Sequence, residues 1–374
     1  MTLNEGSPKI AIVASWLNQY GGAERVLEVL HELYPDAPIF TSIYAPGAMP
    51  EDYRSWDIRV SWLNRLPLTK KKHQLFLPLY PLAFERLDLS GFDVVLSVPS
   101  AFAHGVIPPP GTLHICYCLT PARFLWNYEQ YIARENVGQF ARWLLLPIIR
   151  KLRQWDRRAA NRVDHFVAIS KVIQRRIAAF YARESTVIYP PVNTSRFQPA
   201  QAVEDYFLVV SRLVPYKRID IVVQAFNELG LPLIIIGDGR DRPALEAMAD
   251  SNIRFLGRVS DAKMRDYMAR CRAFLFPGEE DFGITPIEAM AAGRPVIAYA
   301  GGGALETVIE GITGTFFSKQ TPESLVEIVR AFDHRAFDPK VLRRHAERFD
   351  RKVFKKRIST FIWEKWAEHS KEHP

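Results

Sequence analysis

Short β-branched runs alternate with helical patterns along most of the chain, and this alternation constrains the fold more than any other feature. Runs at 9–15, 39–43, 93–98, 113–118 and 164–170, the last leading into a helix that begins near Lys171, read as strands of βαβ units. Parallel strands need helical crossovers, and strands covered on both faces read as continuous apolar runs. After a short run at 186–189 comes Pro190-Pro191-Val192-Asn193, which does not readily enter a helix. A cleaner alternation follows, with strands expected at 206–211, 231–236, 253–256, 273–277 and 296–299. Helices are expected between them at 219–229, 241–249, 261–270 and 286–292. The chain therefore reads as α/β, with two doubly wound, Rossmann-like domains at 1–190 and 191–350 facing a ligand cleft. The tail, 351–374, reads as an amphipathic helix carrying Phe354, Ile358, Phe361 and Ile362 at helical spacing.

Composition closes off other classes. A chain of 374 residues with 48% hydrophobic content suits two globular domains. The longest apolar run, 143–149, contains Pro147 and falls far short of the roughly 20 residues a membrane span needs. The N-terminus lacks a basic start followed by an apolar stretch, and three cysteines make no disulfide scaffold, so a cytoplasmic location is expected. Cys116 and Cys118 share one strand face with no partnering ligands and read as core.

The formal charge of +8 concentrates at 142–162, where seven basic residues face one acid, Asp156. No zinc spacing or RNA-binding aromatic signature accompanies it, so no nucleic-acid partner is expected. A basic amphipathic helix there can rest on an anionic membrane, on the inner face of the cell membrane, or can pack into a domain with a solvated basic face; both readings stand.

Three segments carry candidate chemistry. In 278–288 a buried strand gives way to a glycine-containing turn and a helix, and free N–H groups at such a helix start suit a diphosphate. Glu280 and Glu288 offer carboxylates to sugar or ribose hydroxyls. Thr285-Pro286-Ile287-Glu288 also has capping-box spacing, so Glu288 can instead cap its own helix. Arg212 and Lys217 lie in a strand-to-helix loop, where cations meet phosphate oxygens or simply face water. Gly21-Gly22 and Gly301-Gly302-Gly303 precede helices in a similar way. The three spaced glycines of a dinucleotide site are missing, which argues against a nicotinamide dehydrogenase.

In order and position these segments resemble the retaining glycosyltransferases of family 4, which have the GT-B fold. The resemblance rests on the E-x7-E segment 280–288, the Ser-Arg-Leu-Val-Pro-Tyr-Lys loop, the early Gly-Gly-Ala-Glu-Arg-Val, the Tyr-Pro-Pro-Val-Asn segment and the final helix. It implies that Arg212 and Lys217 hold the donor diphosphate and stabilise the departing charge, with no metal or other cofactor. Glu280 would bind the donor sugar beside Phe282, Gly283, Ile284 and Thr285. Glu288 would bind ribose, Gly22 would approach the donor from the first domain, and Arg258 and Val259 would lie in the base-contacting loop. The final helix would cross back to the first domain. Relatives often carry His where this chain has Leu119, which puts the acceptor side in question and leaves His104 and Arg123 as candidates there. The resemblance further implies a mannosyltransferase using GDP-mannose, with a glycan or lipid-linked glycan acceptor in surface polysaccharide or lipopolysaccharide synthesis. The alternatives are a UDP-sugar glucosyl- or galactosyltransferase of the same fold and, from another class, a basic nucleic-acid-binding or scaffold protein.

Overall fold

The computed structural model describes residues 8–128 and 139–372. The chain forms two compact units: residues up to Tyr189 together with those from Phe354 onward, and Pro190–Val353.

The first unit is built on seven parallel strands: β1 (Ile10–Ala14), β2 (Ile39–Thr41), β3 (Ile58–Val60), β4 (Val94–Val98), β5 (Leu113–Cys118), β6 (His165–Ala168) and β7 (Ser185–Val187). Their order is β3-β2-β1-β4-β5-β6-β7, so the winding reverses between β1 and β4. Every residue of β1, β4 and β5 is buried, which is why these strands stand out in the sequence as largely apolar runs, interrupted by Ser97 and His114. Cys116 and Cys118 are free thiols buried within β5. The edge strand β3 was not anticipated; its residues are half-buried or exposed, so it shows no apolar run. The helix Gly22–Leu33 follows β1 and buries Val26, Leu27, Val29 and Leu30.

The C-terminal helix Arg351–Glu372 buries Phe354, Ile358 and Ile362. Phe354 meets Tyr117 of β5 edge-on at 5.5 Å, and Phe361 meets His165 at 6.3 Å. Lys355 pairs with Glu32 at 2.8 Å, and the Arg357 guanidinium donates to the Val187 carbonyl. The tail's helical spacing thus corresponds to a stripe that seals one side of the first unit.

The second unit has six parallel strands: β8 (Phe207–Val210), β9 (Leu233–Ile236), β10 (Ile253–Gly257), β11 (Phe274–Phe276), β12 (Val296–Tyr299) and β13 (Gly314–Phe317). The order β10-β9-β8-β11-β12-β13 reverses between β8 and β11. The helices Ile219–Leu229, Arg242–Met248 and Asp261–Arg270 lie where the apolar periodicity put them. Pro322–Ala331 and Pro339–Ala346 are additional helices, begun by side-chain caps: Thr321 accepts from the Ser324 amide and Asp338 from the Lys340 amide. Phe207, Phe226, Leu233, Leu275, Ile297 and Phe317 form the core between sheet and helices.

Candidate active site

A doubly wound sheet opens a crevice at the carboxyl ends of the two strands where its order reverses. In the second unit these are β8 and β11, and the loops that follow them carry the residues singled out from the sequence. The loop after β8 ends in the 3-10 turn Pro215–Lys217. Exposed Arg212 donates to the Tyr216 hydroxyl at 3.0 Å, and the Lys217 ammonium lies 5.3 Å from the centre of the Tyr216 ring. The loop after β11 brings Glu280 into an ion pair with Lys217, the two side chains being 21% and 14% exposed. Two loops far apart in sequence therefore deliver a carboxylate and a cation to one point, with Arg212 joined to them through Tyr216. Tyr216 was not identified from the sequence; its one signal was its place between the two cations.

The helix after the β11 loop is Ile284–Ala291, which begins two residues earlier than the proline suggested. Its N-cap is Gly283 at φ 90°, a conformation that strains any other residue, and no side chain caps it. A Cβ at that position would lie 2.9 Å from the Phe276 ring. Thr285 consequently sits within the first turn instead of before it, and the capping-box reading of Glu288 is corrected. Glu288 is 6% exposed, one turn inside the helix. Ile284 and Thr285, half-buried, form the helix start, whose amides and dipole favour an anion.

The backbone of this loop is held from behind. The Gly303 amide donates to the Glu280 carbonyl at 2.8 Å, and a Cβ on Gly303 would come within 2.3 Å of Phe282 Cα. Gln320 donates to the Pro277 carbonyl at 2.8 Å. Phe282 is buried with its ring 5.8 Å from Phe349. These contacts give Gly301-Gly302-Gly303 a packing reason that the sequence reading lacked. Arg258, exposed, and Val259, half-buried, follow β10, two strands from β8 and on the same edge of the parallel sheet. Among the described residues no group of three or more His, Cys, Asp or Glu is placed to hold a metal ion.

In the first unit Gly22 opens the helix Gly22–Leu33 beside the β1/β4 reversal. A cavity of about 20 Å³ lies there, lined by Ser15, Glu24 and Ser100 among others, with room for one water. The Ser15 hydroxyl donates to the Ala101 carbonyl and accepts from the Ser100 amide, tying the ends of β1 and β4 together. Arg123 is half-buried at the start of the short helix Arg123–Trp126, after β5.

His104 departs from its expected acceptor-side role. It is 2% exposed, its Nε2 lies 3.4 Å from Asp156 Oδ1, and it packs beside Trp155 and Tyr181. Burial lowers its pKa from the usual histidine range, and the nearby Asp156 opposes that shift only in part. An imidazole enclosed in this way serves the core. His114, bonded to the Ser97 hydroxyl at 2.9 Å, is lowered to about 3 for the same reason.

Asp156, the one acid of the basic stretch, is the buried anchor of the helix Gln139–Ala160. Its Oδ2 accepts from Trp126 Nε1 and from the Tyr181 hydroxyl, both at 2.8 Å. Several cations of the same stretch are spent within the fold. Arg153 donates to the Leu125 carbonyl, Arg157 to Phe180, and Arg162 to Gly105 and Glu85. Arg150, Lys151 and Arg158 stay exposed. The side chains of Arg142, Trp143 and Leu144 lie outside the described residues. No described helix is long and apolar enough to cross a membrane.

Two family models match the chain: the one described as Glycosyltransferase Family 4 over residues 20–196, and the one described as Glycosyl transferases group 1 over 193–348. The chain belongs to the family 4 glycosyltransferases. An uncharacterized glycosyltransferase of Methanocaldococcus jannaschii is 29% identical to it over 59% of this chain and 62% of its own length. A GDP-mannose-dependent alpha-(1-6)-phosphatidylinositol monomannoside mannosyltransferase of Mycolicibacterium smegmatis is 30% identical over 49% of this chain and 56% of its own. The chain thus spans about three-fifths of the length of the curated relatives it matches. Among solved structures, Anabaena HepE in complex with UDP aligns at a TM-score of 0.71 and 18% identity, over 95% of this chain and 100% of that one, a likeness of fold. Both sheets of this glycosyltransferase have the parallel, doubly wound architecture of the GT-B fold.

Proposed function

We propose that this glycosyltransferase transfers a hexose, mannose from GDP-mannose in the reading we favour, from a nucleoside-diphosphate donor to a glycan or lipid-linked glycan acceptor in surface polysaccharide synthesis. The observation that carries the proposal is the Lys217–Glu280 pair at the β8/β11 crevice, with Arg212 held alongside by Tyr216. In this reading Arg212 and Lys217 take the diphosphate oxygens and offset the charge that grows as the sugar–oxygen bond breaks, so no metal is needed. The start of the helix Ile284–Ala291 adds amides aimed at the same charge. Glu280 accepts from sugar hydroxyls and Glu288 from the ribose, while Arg258 and Val259 border the base.

The mannosyltransferase relatives favour mannose; the UDP bound to HepE keeps a UDP-sugar donor as the second reading. An anionic inner membrane face, met by the exposed cations of 142–162, belongs to the same proposal and sets its place of action. The reading predicts that GDP-mannose is consumed with EDTA present and that the new glycosidic bond keeps the donor's anomeric configuration. Time-resolved proton NMR of the first-formed product checks both points. An inverted product, or turnover that stops with EDTA and returns with Mg²⁺, contradicts it.

A further inference from the structure

A second cationic stretch is hidden by the near balance of charge outside 142–162. From residue 58 to residue 84 the chain carries Arg59, Arg65, Lys70, Lys71 and Lys72 and no Asp or Glu at all. It runs from β3 through the 3-10 turns Trp62–Arg65 and His73–Leu79 into the helix Tyr80–Glu85. Leu63, Tyr80, Ala83 and Phe84 fix it in the core of the first unit. Between these anchors Thr69 is buried and its hydroxyl donates to the Leu66 carbonyl, while the Lys71 and Lys72 amides both donate to Leu68. The segment is therefore a built surface.

What it presents outward is unusual. Leu68 is 60% exposed, Leu75 71%, Leu79 36% and Leu82 40%. Arg65, Lys70, Lys71 and Lys72 are exposed among them, and none has an ion-pair partner among the described residues. A single exposed leucine needs no explanation, but four of them between residues 68 and 82, interspersed with exposed cations, point to an interaction surface. The helix Gln139–Ala160 adjoins it: Trp155 bonds to Glu85, the last residue of the helix Tyr80–Glu85, and Leu146 packs on the same core as Phe76 and Leu77. That helix adds exposed Leu145, Ile148, Arg150 and Lys151. The matching partner has a dense anionic layer with hydrocarbon directly beneath it. A phospholipid surface has both; nucleic acid satisfies the lysines and leaves the leucines in water.

We infer that residues 65–82 are the main surface by which the first unit rests on an anionic membrane, with Leu68, Leu75, Leu79 and Leu82 entering the interface and Lys70–Lys72 meeting headgroup phosphates. This deepens the proposed membrane contact by moving its centre off 142–162, and it does not depend on the donor reading. The test is flotation of the full chain with phosphatidylcholine vesicles, with and without phosphatidylglycerol, at low and high salt. The wild type floats with the anionic vesicles and is released from them by salt. Lys70→Gln/Lys71→Gln/Lys72→Gln lowers partitioning on the order of a hundredfold. Leu75→Ser/Leu79→Ser also loses most binding, and Arg150→Gln/Lys151→Gln loses less than either set. Thermal melting at the wild-type temperature shows that the variants fold, and GDP binding, read separately, reports on the donor site. Wild-type flotation by the lysine or the leucine variant overturns the inference, as does equal flotation with neutral vesicles. Absence of flotation combined with lysine-dependent, leucine-independent retention on DNA overturns it in favour of a nucleic-acid partner.

Discussion

Lys217→Ala should lower kcat/KM for the donor by about 10²–10³-fold, the usual cost of removing one preorganised charge from a site where transition-state charge develops. The loss has two parts. The ammonium no longer meets the diphosphate, and Glu280 is left as an unpaired carboxylate beside the incoming phosphates. Stability should fall as well, by about 1–3 kcal/mol, because the mostly buried Glu280 carboxylate loses its partner. Lys217→Arg, which keeps the charge, should recover part of the rate. Steady-state kinetics beside a thermal melt separates the two effects. Activity within a few-fold of wild type for Lys217→Ala would remove the crevice from the catalytic account.

Asp156→Ala should act chiefly on stability. The substitution strips the acceptor from Trp126 Nε1 and the Tyr181 hydroxyl, both 2.8 Å away inside the first unit. Each buried donor left without a partner costs about 1–3 kcal/mol, so the variant should lose about 4 kcal/mol. For a unit of this size that corresponds to a fall in Tm of about 10 °C. Asp156→Asn keeps an acceptor oxygen and should lose less. Urea unfolding followed by tryptophan fluorescence measures both variants, and a wild-type midpoint for Asp156→Ala would mean that this network does not hold the helix Gln139–Ala160 in place.

Much of the architecture was legible because parallel strands are buried on both faces. β1 is apolar throughout and β4 and β5 nearly so, interrupted by Ser97 and His114, and the helix Ile219–Leu229 shows its buried face at 3.6-residue spacing. The edge strand β3 was hidden by its exposure, and β13 by half-buried Thr315 and Phe316. In the site, Arg212, Lys217 and Glu280 were visible as residue types in strand-end loops, but their meeting depends on β8 and β11 being neighbours, which is a fact of topology and not of spacing. The register of the helix after Gly283 was misjudged because Pro286 resembles a first helical residue, whereas the positive φ of Gly283 starts the helix two residues sooner. His104 was offered for the acceptor side on its chemistry; its burial against Asp156 comes from Trp155 and Tyr181, far along the chain. The leucines of 65–82 went unnoticed because exposure cannot be read from a leucine-rich segment that also supplies core.

The claim at the centre of the account is that the β8/β11 crevice holds a nucleoside diphosphate without a metal. Thermal unfolding with GDP, UDP and ADP in the presence of EDTA tests it most directly, since a ligand that binds the native state raises the melting temperature by mass action. The account predicts a rise with GDP that exceeds that with UDP or ADP, survives EDTA and is lost in Lys217→Ala. A rise only with UDP would keep the site and change the donor. No rise with any of the three, or one that Lys217→Ala leaves intact, would contradict the account.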